Sequence, residues 1–291
     1  MRGSLHPARA AWARRRPRLA RVARHVAGVL ALGLLAAPAL ALDRGDGADG
    51  RFSERRSSHF VLRQDVDLDD YHGRGGILEF ERSVLAILEE GHDALDSRLG
   101  LRPPRPLDVH VWDPDLFDRR FAGLFPFPAA GFYGGTIHVR GDVAVSRALR
   151  GTLHHELVHA TLDATAPSLV LPAWLNEGLA EWFESRTAGG RGHLSQGAWQ
   201  SLTEAARTGR LPSLAALSAP SFARLDPRRA ALAYRYAHGL VDHLARRSGE
   251  RTLRQLVEEL VRTGNLSRAF RRVGKTTPEE LDAAFRRELG A

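Results

Sequence analysis

Two histidines and a glutamate stand together in His155-Glu156-Leu157-Val158-His159. On a helix, a step of four residues returns to nearly the same face with a rise of about 6 Å. Both imidazoles can then point at one cation, about 2.0–2.1 Å from each nitrogen. Glu156 lies beside that face, where it can take a proton from a water activated at the ion. The chemistry offered is metal-assisted hydrolysis. A third ligand is available in Trp174-Leu175-Asn176-Glu177-Gly178-Leu179-Ala180-Glu181, which reads as a second helix after a loop at 163–172 containing Pro167 and Pro172. Two antiparallel helices joined in this way can bring Glu177 to the same ion. Two histidines and one carboxylate leave a fourth position for water, the arrangement of a catalytic zinc site with one Zn2+ per chain. Taken singly, His155 and His159 could be polar residues of an exposed face, and Glu177 and Glu181 solvated helix charges. The two segments at this distance favour the metal.

The stretches HHELVHATL and LPAWLNEGLAEWFE resemble segments of the gluzincin metallopeptidases, the group of thermolysin-like enzymes and the aminopeptidase N family. They are most similar to the smaller peptidase-MA-like bacterial proteins. The specific resemblance covers residues 154–184, and a looser one 57–289. It implies a zincin-like fold, zinc held by His155, His159 and Glu177, and Glu156 as catalytic base. In thermolysin-like members an acid four residues after the ligand Glu orients the first His. Glu181 has that spacing, although the residue there is Asp. Asn176 is a further candidate for the outer partners that metal-bound histidines need. Tyr236-Ala237-His238-Gly239 resembles the Tyr-x-Lys-Gly segment of the aminopeptidases, whose Tyr stabilises the oxyanion. This makes Tyr236 the second catalytic candidate, with Tyr234 the less favoured neighbour. The alternative for both is a half-buried ring on an amphipathic helix. The aminopeptidase Gly-Ala-Met-Glu-Asn strand, which binds the substrate's free amine, has no equivalent here. An endopeptidase acting on a peptide or protein is therefore favoured over an aminopeptidase. Two other classes stay open: an exported binding or structural protein that keeps the scaffold without turnover, and a hydrolase of non-peptide amides or esters.

The elements that must position these residues can be read from composition and pattern. A chain of 291 residues with 43% hydrophobic content can bury a substantial core and is too apolar for wholesale disorder. The absence of cysteine excludes disulfides, a cysteine nucleophile and a thiolate metal site. The formal charge of +8 resides in Arg2, Arg9, Arg14, Arg15, Arg16, Arg18, Arg21 and Arg24, and the remainder of the chain is balanced. No nucleic-acid partner is expected. This basic stretch precedes the apolar run VAGVLALGLLAAPALAL, Val26 to Leu42, in which Ala39-Leu40-Ala41 has the small-x-small form of a cleavage site. The pattern reads as a signal peptide over 1–41 and an exported protein, periplasmic or extracellular. An uncleaved membrane anchor is the alternative.

Residues 42–57 read as a flexible linker. The fold class expected is α+β, with a small mixed sheet and helices over 58–142 and a mainly helical subdomain over 143–291. Strands are expected at 59–63, 107–112 and 131–140, and helices at 77–99 and 115–122. The second half shows helical patterns at 143–162, 173–185, 197–208, 228–247, 250–262 and 278–289, the last capped by Thr277 with Pro278 in its first turn. If the strand containing Ile137 and Val139 lies at a cleft rim, its backbone could pair with an extended peptide. His110, His138 and His154 read as surface or core residues. Trp174, Trp182 and Phe183 read as packing, and Phe125-Pro126-Phe127-Pro128 as a substrate lip or a packed turn.

Overall fold

The computed structural model describes residues 51–66, 68, 76–189 and 192–291. The expected signal peptide lies outside the described residues, and so do 42–50 of the linker. Among the described residues no helix is long and apolar enough to cross a membrane. The order is β1 (Ser53–Arg56), β2 (Phe60–Gln64), α1 (Gly76–Leu99), β3 (Leu107–Trp112), α2 (Pro114–Arg120), β4 (Gly131–Tyr133), β5 (Ile137–Arg140), α3 (Arg147–Thr165) and α4 (Ala173–Thr187). There follow α5 (Gln196–Arg207), α6 (Leu214–Leu217), α7 (Pro227–Ser248), α8 (Glu250–Thr263), α9 (Leu266–Ala269), a π turn at Phe270–Gly274, and α10 (Pro278–Glu288). The class is α+β, a small mixed sheet in the first half and a mainly helical second half.

The sheet order is β1-β2-β3-β5-β4, with β2, β3 and β5 parallel and the two outer strands antiparallel to their neighbours. Three expectations are corrected. Ser53–Arg56, read as part of the linker, is a strand paired with β2, Arg55 opposite Leu62. Its polar sequence hides it because an outermost strand need not be apolar. The single strand expected over 131–140 is a hairpin, with Tyr133 opposite Ile137 and Gly135 at φ +96 in the turn. Only glycine takes that backbone region readily. The strand of Ile137 and Val139 is therefore internal, and the strand at the rim is β4.

One face of the sheet meets the helices. Val109, Val111, Ile137 and Val139 alternate onto that face and have no exposure. They pack with α1, which buries Val84, Leu88, Leu95 and Leu99 at helical spacing. Beside α1 runs α3, begun by Ser146, whose hydroxyl accepts the Leu149 N–H at 3.1 Å. Residues 149–162 of α3 are buried on nearly every side, between α1, the β4–β5 hairpin and α4. Leu153, Leu157 and Val158 are wholly buried, each contributing on the order of 2 kcal/mol. A polar side chain on such a helix has no water to turn to, and must find a partner or a ligand.

The next helix, α4, crosses α7 at close range. A Cβ built on Gly178 would stand 2.6 Å from the Ala237 carbonyl oxygen and 2.7 Å from Val241 Cγ2. The missing side chain lets the two backbones approach and sets the position of Glu177, one residue earlier. Thr277 caps α10 as expected, and Glu280 bonds back to it to complete a capping box.

Candidate metal centre

Helix α3 presents His155 and His159 towards α4, which returns Glu177. Glu177 Oε2 lies 3.5 Å from His155 Nε2 and 3.5 Å from His159 Nε2. Both separations are long for a hydrogen bond. None of the three atoms has a hydrogen-bond partner, and all are buried. Two donors on one tetrahedral ion, each about 2.1 Å from it, stand about 3.4 Å apart. The gaps in this triangle thus have the size an ion requires. Three orphaned polar atoms in a dry interior would otherwise cost several kcal/mol. The residues fit a bound cation, and this buried His/His/Glu group can hold a metal ion.

The far edge of each imidazole is held. His159 Nδ1 lies 3.2 Å from Asn176 Oδ1, and His155 Nδ1 lies 3.3 Å from Glu184 Oε2. With Nδ1 donating to these oxygens, Nε2 keeps its lone pair for a metal. Asn176 thus makes the contact with His159 that its candidacy requires. Glu181 makes no hydrogen bond to His155: its carboxylate stands within 4.8 Å of that ring and 4.0 Å from His238 Nδ1, and the nearer partner of His155 is Glu184. At about 100° per residue, positions 177, 181 and 184 share one face of α4, so spacing alone does not choose between the acids.

Glu156 is wholly buried, and neither carboxylate oxygen has a hydrogen-bond partner. Burial pushes its pKa well above the carboxylate range, and the charges of Glu177 and Glu184 add to this against the pull of His155. The hairpin supplies the wall beside it: a Cβ on Gly131 would lie 3.4 Å from Glu156 Cγ, and the Tyr133 backbone N–H favours the charged acid. Burial opposes charge on His155, yet the carboxylates of Glu177 and Glu184 outweigh it and hold the imidazole well above its usual value. For Glu177 burial is likewise outweighed, by His159 and His155, and its pKa is lowered. Burial and the charge of Glu184 raise Glu181 to about 8. Around the two imidazoles stand Glu156, Glu177, Glu181 and Glu184, more acids than bases, and a cation held among them would favour the charged forms of all four.

The structure does not bring Tyr236 to this group. Its hydroxyl donates to Asp282 at 2.7 Å and its ring packs on Phe285 of α10. On the same side of α7, Gly239 faces Phe285 and His243 bonds Glu288. The face turned to α4 carries Ala237, His238 and Val241. By helical phase Tyr234 falls in the middle of that second face, about 160° around the axis from Tyr236. Tyr234 is buried and packs edge-on against Phe222.

The remaining candidates are accounted for by packing. His154 lies 2.8 Å from Thr187 Oγ1 and 3.0 Å from the Ile87 carbonyl, tying α1, α3 and α4 together. His110 and His138 lie on the sheet face away from α3, in an aromatic cluster where Trp112 Nε1 donates to His138 Nδ1 at 3.0 Å. Trp174, Trp182 and Phe183 are buried in the core. Phe125 and Phe127 stack on each other, and Phe125 packs against Phe132, a packed turn.

Comparison of the chain with protein-family models and with curated proteins gives no match. The residue that sequence reasoning missed is Glu184. One signal pointed to it: Gly151 stands inside a helical pattern one turn before His155. A Cβ there would come within 2.6 Å of Glu184 Oε1.

Proposed function

We propose that this chain is a zinc-dependent peptide hydrolase of gluzincin type, an endopeptidase acting on peptides or proteins. The observation that carries the reading is the buried triangle of Nε2, Nε2 and Oε2 atoms that no protein group pairs, beside a second buried acid that ligates nothing. Two neutral imidazoles and one carboxylate are a zinc donor set with room for water. When bound, zinc lowers the pKa of such a water towards about 7 and polarises a substrate carbonyl. Glu156, a buried acid that ligates nothing, would take the proton from the water and deliver it to the leaving amine. Glu184 and Asn176 hold the imidazoles in the ligating tautomer. The oxyanion role goes to Tyr234, the tyrosine on the α4 side of α7, in place of Tyr236. An extended peptide laid along β4, the terminal strand, would add to the sheet beside α3. Export through the segment 1–41 is part of the same reading. N-terminal mass spectrometry of the exported protein should find a chain beginning near Leu42.

The deciding experiment is metal analysis together with digestion of a broad peptide library. Wild type should hold one tightly bound zinc, and Glu177→Ala should lose most of it. Glu156→Gln should keep zinc and fold, and cleave more slowly by about 10²–10⁴-fold. Equal cleavage by wild type and Glu156→Gln would overturn the hydrolase. Full zinc in Glu177→Ala would overturn the ligand set.

A second reading is favoured by one observation, the burial of the site. His155, His159, Glu156 and Glu177 are at most 2% exposed, so a substrate must open the structure to reach the ion. An exported scaffold that binds zinc without turnover needs no such opening. Zinc binding by wild type with no cleavage of any peptide would select it.

A further inference from the structure

We infer that the loop at 121–130, together with Arg119 and Arg120, docks on an anionic phospholipid bilayer. The loop follows α2 and leads into β4. It lies on the sheet face turned away from α3, where Phe121 meets Phe132 and His138, so it is no part of the metal centre. Leu124 at its tip is 46% exposed, and Ala122, Pro126 and Pro128 are exposed beside it. Around Gly123 the space is open: a Cβ there would meet nothing within 4 Å. The base of the loop is firm. Phe52, Trp112, Phe121, Phe132 and Phe125 form a continuous series of ring contacts, with centroids 4.7–5.8 Å apart. The apolar tip is thus held out from the sheet and not folded onto it.

Charge selects the occupant. Arg119 and Arg120 close α2, both exposed, and neither has an ion pair or hydrogen bond among the described residues. Asp115, one turn before Arg119, pairs with neither, and Asp118 is taken by Arg140 through bonds of 3.0–3.2 Å. From 119 to 141 the sequence holds no Asp or Glu. Two unpaired cations at the root of an apolar tip match the two layers of a membrane surface, headgroup phosphates outside and acyl chains within. A nucleic acid would engage the arginines and leave Leu124 in water. The apolar run Val26 to Leu42 ends ten residues before Phe52, the first ring of the series. Ten residues span at most about 35 Å, so a chain still joined to that run keeps this face near the bilayer. Two arginines and one leucine each add modestly, so attachment is weak and is lost in salt. Nothing in this inference depends on turnover at the buried site.

The test uses the full chain. Because it has no cysteine, Leu124→Cys takes a polarity-sensitive dye at the loop alone. Ser97→Cys, exposed on α1 behind the other sheet face, serves as the reference. Circular dichroism checks that the labelled chains fold, and Ala122→Cys carries the dye should Leu124→Cys fail to. At low salt, phosphatidylglycerol vesicles should raise the emission at 124 and shift it to the blue, whereas phosphatidylcholine vesicles should leave it unchanged. The dye at 97 should respond to neither. Combining Arg119→Gln and Arg120→Gln should raise the lipid concentration for half response at least about tenfold, and high salt should abolish the response. Polyglutamate should leave the dye at 124 unchanged. No response at 124, an equal response at 97 or to phosphatidylcholine, or an unaltered midpoint in the arginine variant would each overturn the site. A response to polyglutamate as large as that to the vesicles would assign the loop to an acidic protein and overturn the bilayer.

Discussion

Glu184 reaches His155 through space that Gly151 leaves empty. Its Oε2 stands 3.3 Å from His155 Nδ1, while Oε1 lies 2.6 Å from where a Cβ at position 151 would be. The two residues come from different helices, and the glycine is one turn ahead of the histidine it serves. In the middle of a helix glycine is unfavourable by about 1 kcal/mol relative to alanine. Its presence at 151 is explained by the carboxylate and not by the helix.

Gly151→Ala should therefore separate stability from metal affinity. The obstacle is the tip of a flexible side chain, which can swing aside, so the fold should be unchanged or slightly more stable. Displacing Glu184 should weaken zinc binding about 10–100-fold, the usual effect of losing an outer partner of a ligating histidine. Glu184→Gln should lower affinity in the same range. The double variant should be little worse than either single one, because both remove one interaction. Competition with a chromophoric chelator measures all three. Additive losses would mean that Gly151 and Glu184 act independently.

Gly178→Ala should behave in the opposite way. Here the obstacle is the Ala237 carbonyl at 2.6 Å, which is backbone and cannot step aside without moving α7 against α4. Overpacking of this kind costs typically 1–3 kcal/mol. Urea melts of the two glycine variants should differ in sign or by more than about 1 kcal/mol. Equal stability would mean that the α4–α7 contact is looser than its geometry indicates.

The two tyrosines of α7 should divide function from stability. Tyr236→Phe removes the hydroxyl that bonds Asp282 and should cost about 1 kcal/mol of stability, with zinc and any turnover retained. Tyr234→Phe should keep zinc and lower kcat by about 10²–10³-fold if that hydroxyl meets the oxyanion. Melting curves and library digestion on both variants check this. A turnover defect confined to Tyr236→Phe would reverse the assignment.

The same pair illustrates what was legible in the sequence. His155 and His159 are legible as sharing a face, because a spacing of four fixes their relation within one helix. Glu177 was reachable through its distance behind them and through the resemblance. The face that α7 turns to α4 was not, since helical phase relative to a neighbour is set by contacts such as Gly178 against Ala237. Tyr236 was favoured on its local motif, and the packing turns it to α10. Glu181 and Glu184 are equivalent by spacing, and only the position of α3 distinguishes them. In the sheet, Leu107–Trp112 is visible by its alternation, whereas Ser53–Arg56 is an outer strand whose polar residues carry no periodic signal. The turn in 131–140 was masked because glycines at 134 and 135 also fit a continuous Gly-rich strand.

Acid should destabilise the fold through a histidine outside the metal ligands. Burial pushes His238 down to about 4, with Asp242 and Glu184 opposing and Arg186 and His193 assisting. Unfolded, its pKa is about 6.5. Between these values the unfolded chain binds the additional proton, so stability rises with pH across the window and is lost as pH falls from about 6.5 to about 4. The full effect for this buried ring is up to roughly 3 kcal/mol. Groups elsewhere, including His138, which is also lowered to about 4, add their own dependence. The informative quantity is thus the difference between wild type and His238→Gln. Urea melts at pH 7.5, 5.5 and 4.5 should show the wild type losing stability relative to the variant at each downward step. The glutamine amide can donate to Ser185 Oγ, 3.4 Å from the present ring and itself donating to the Trp182 carbonyl, without taking up a proton. Parallel stability curves for the two proteins would show that His238 titrates alike in the folded and unfolded chain, and that another group carries the acid sensitivity.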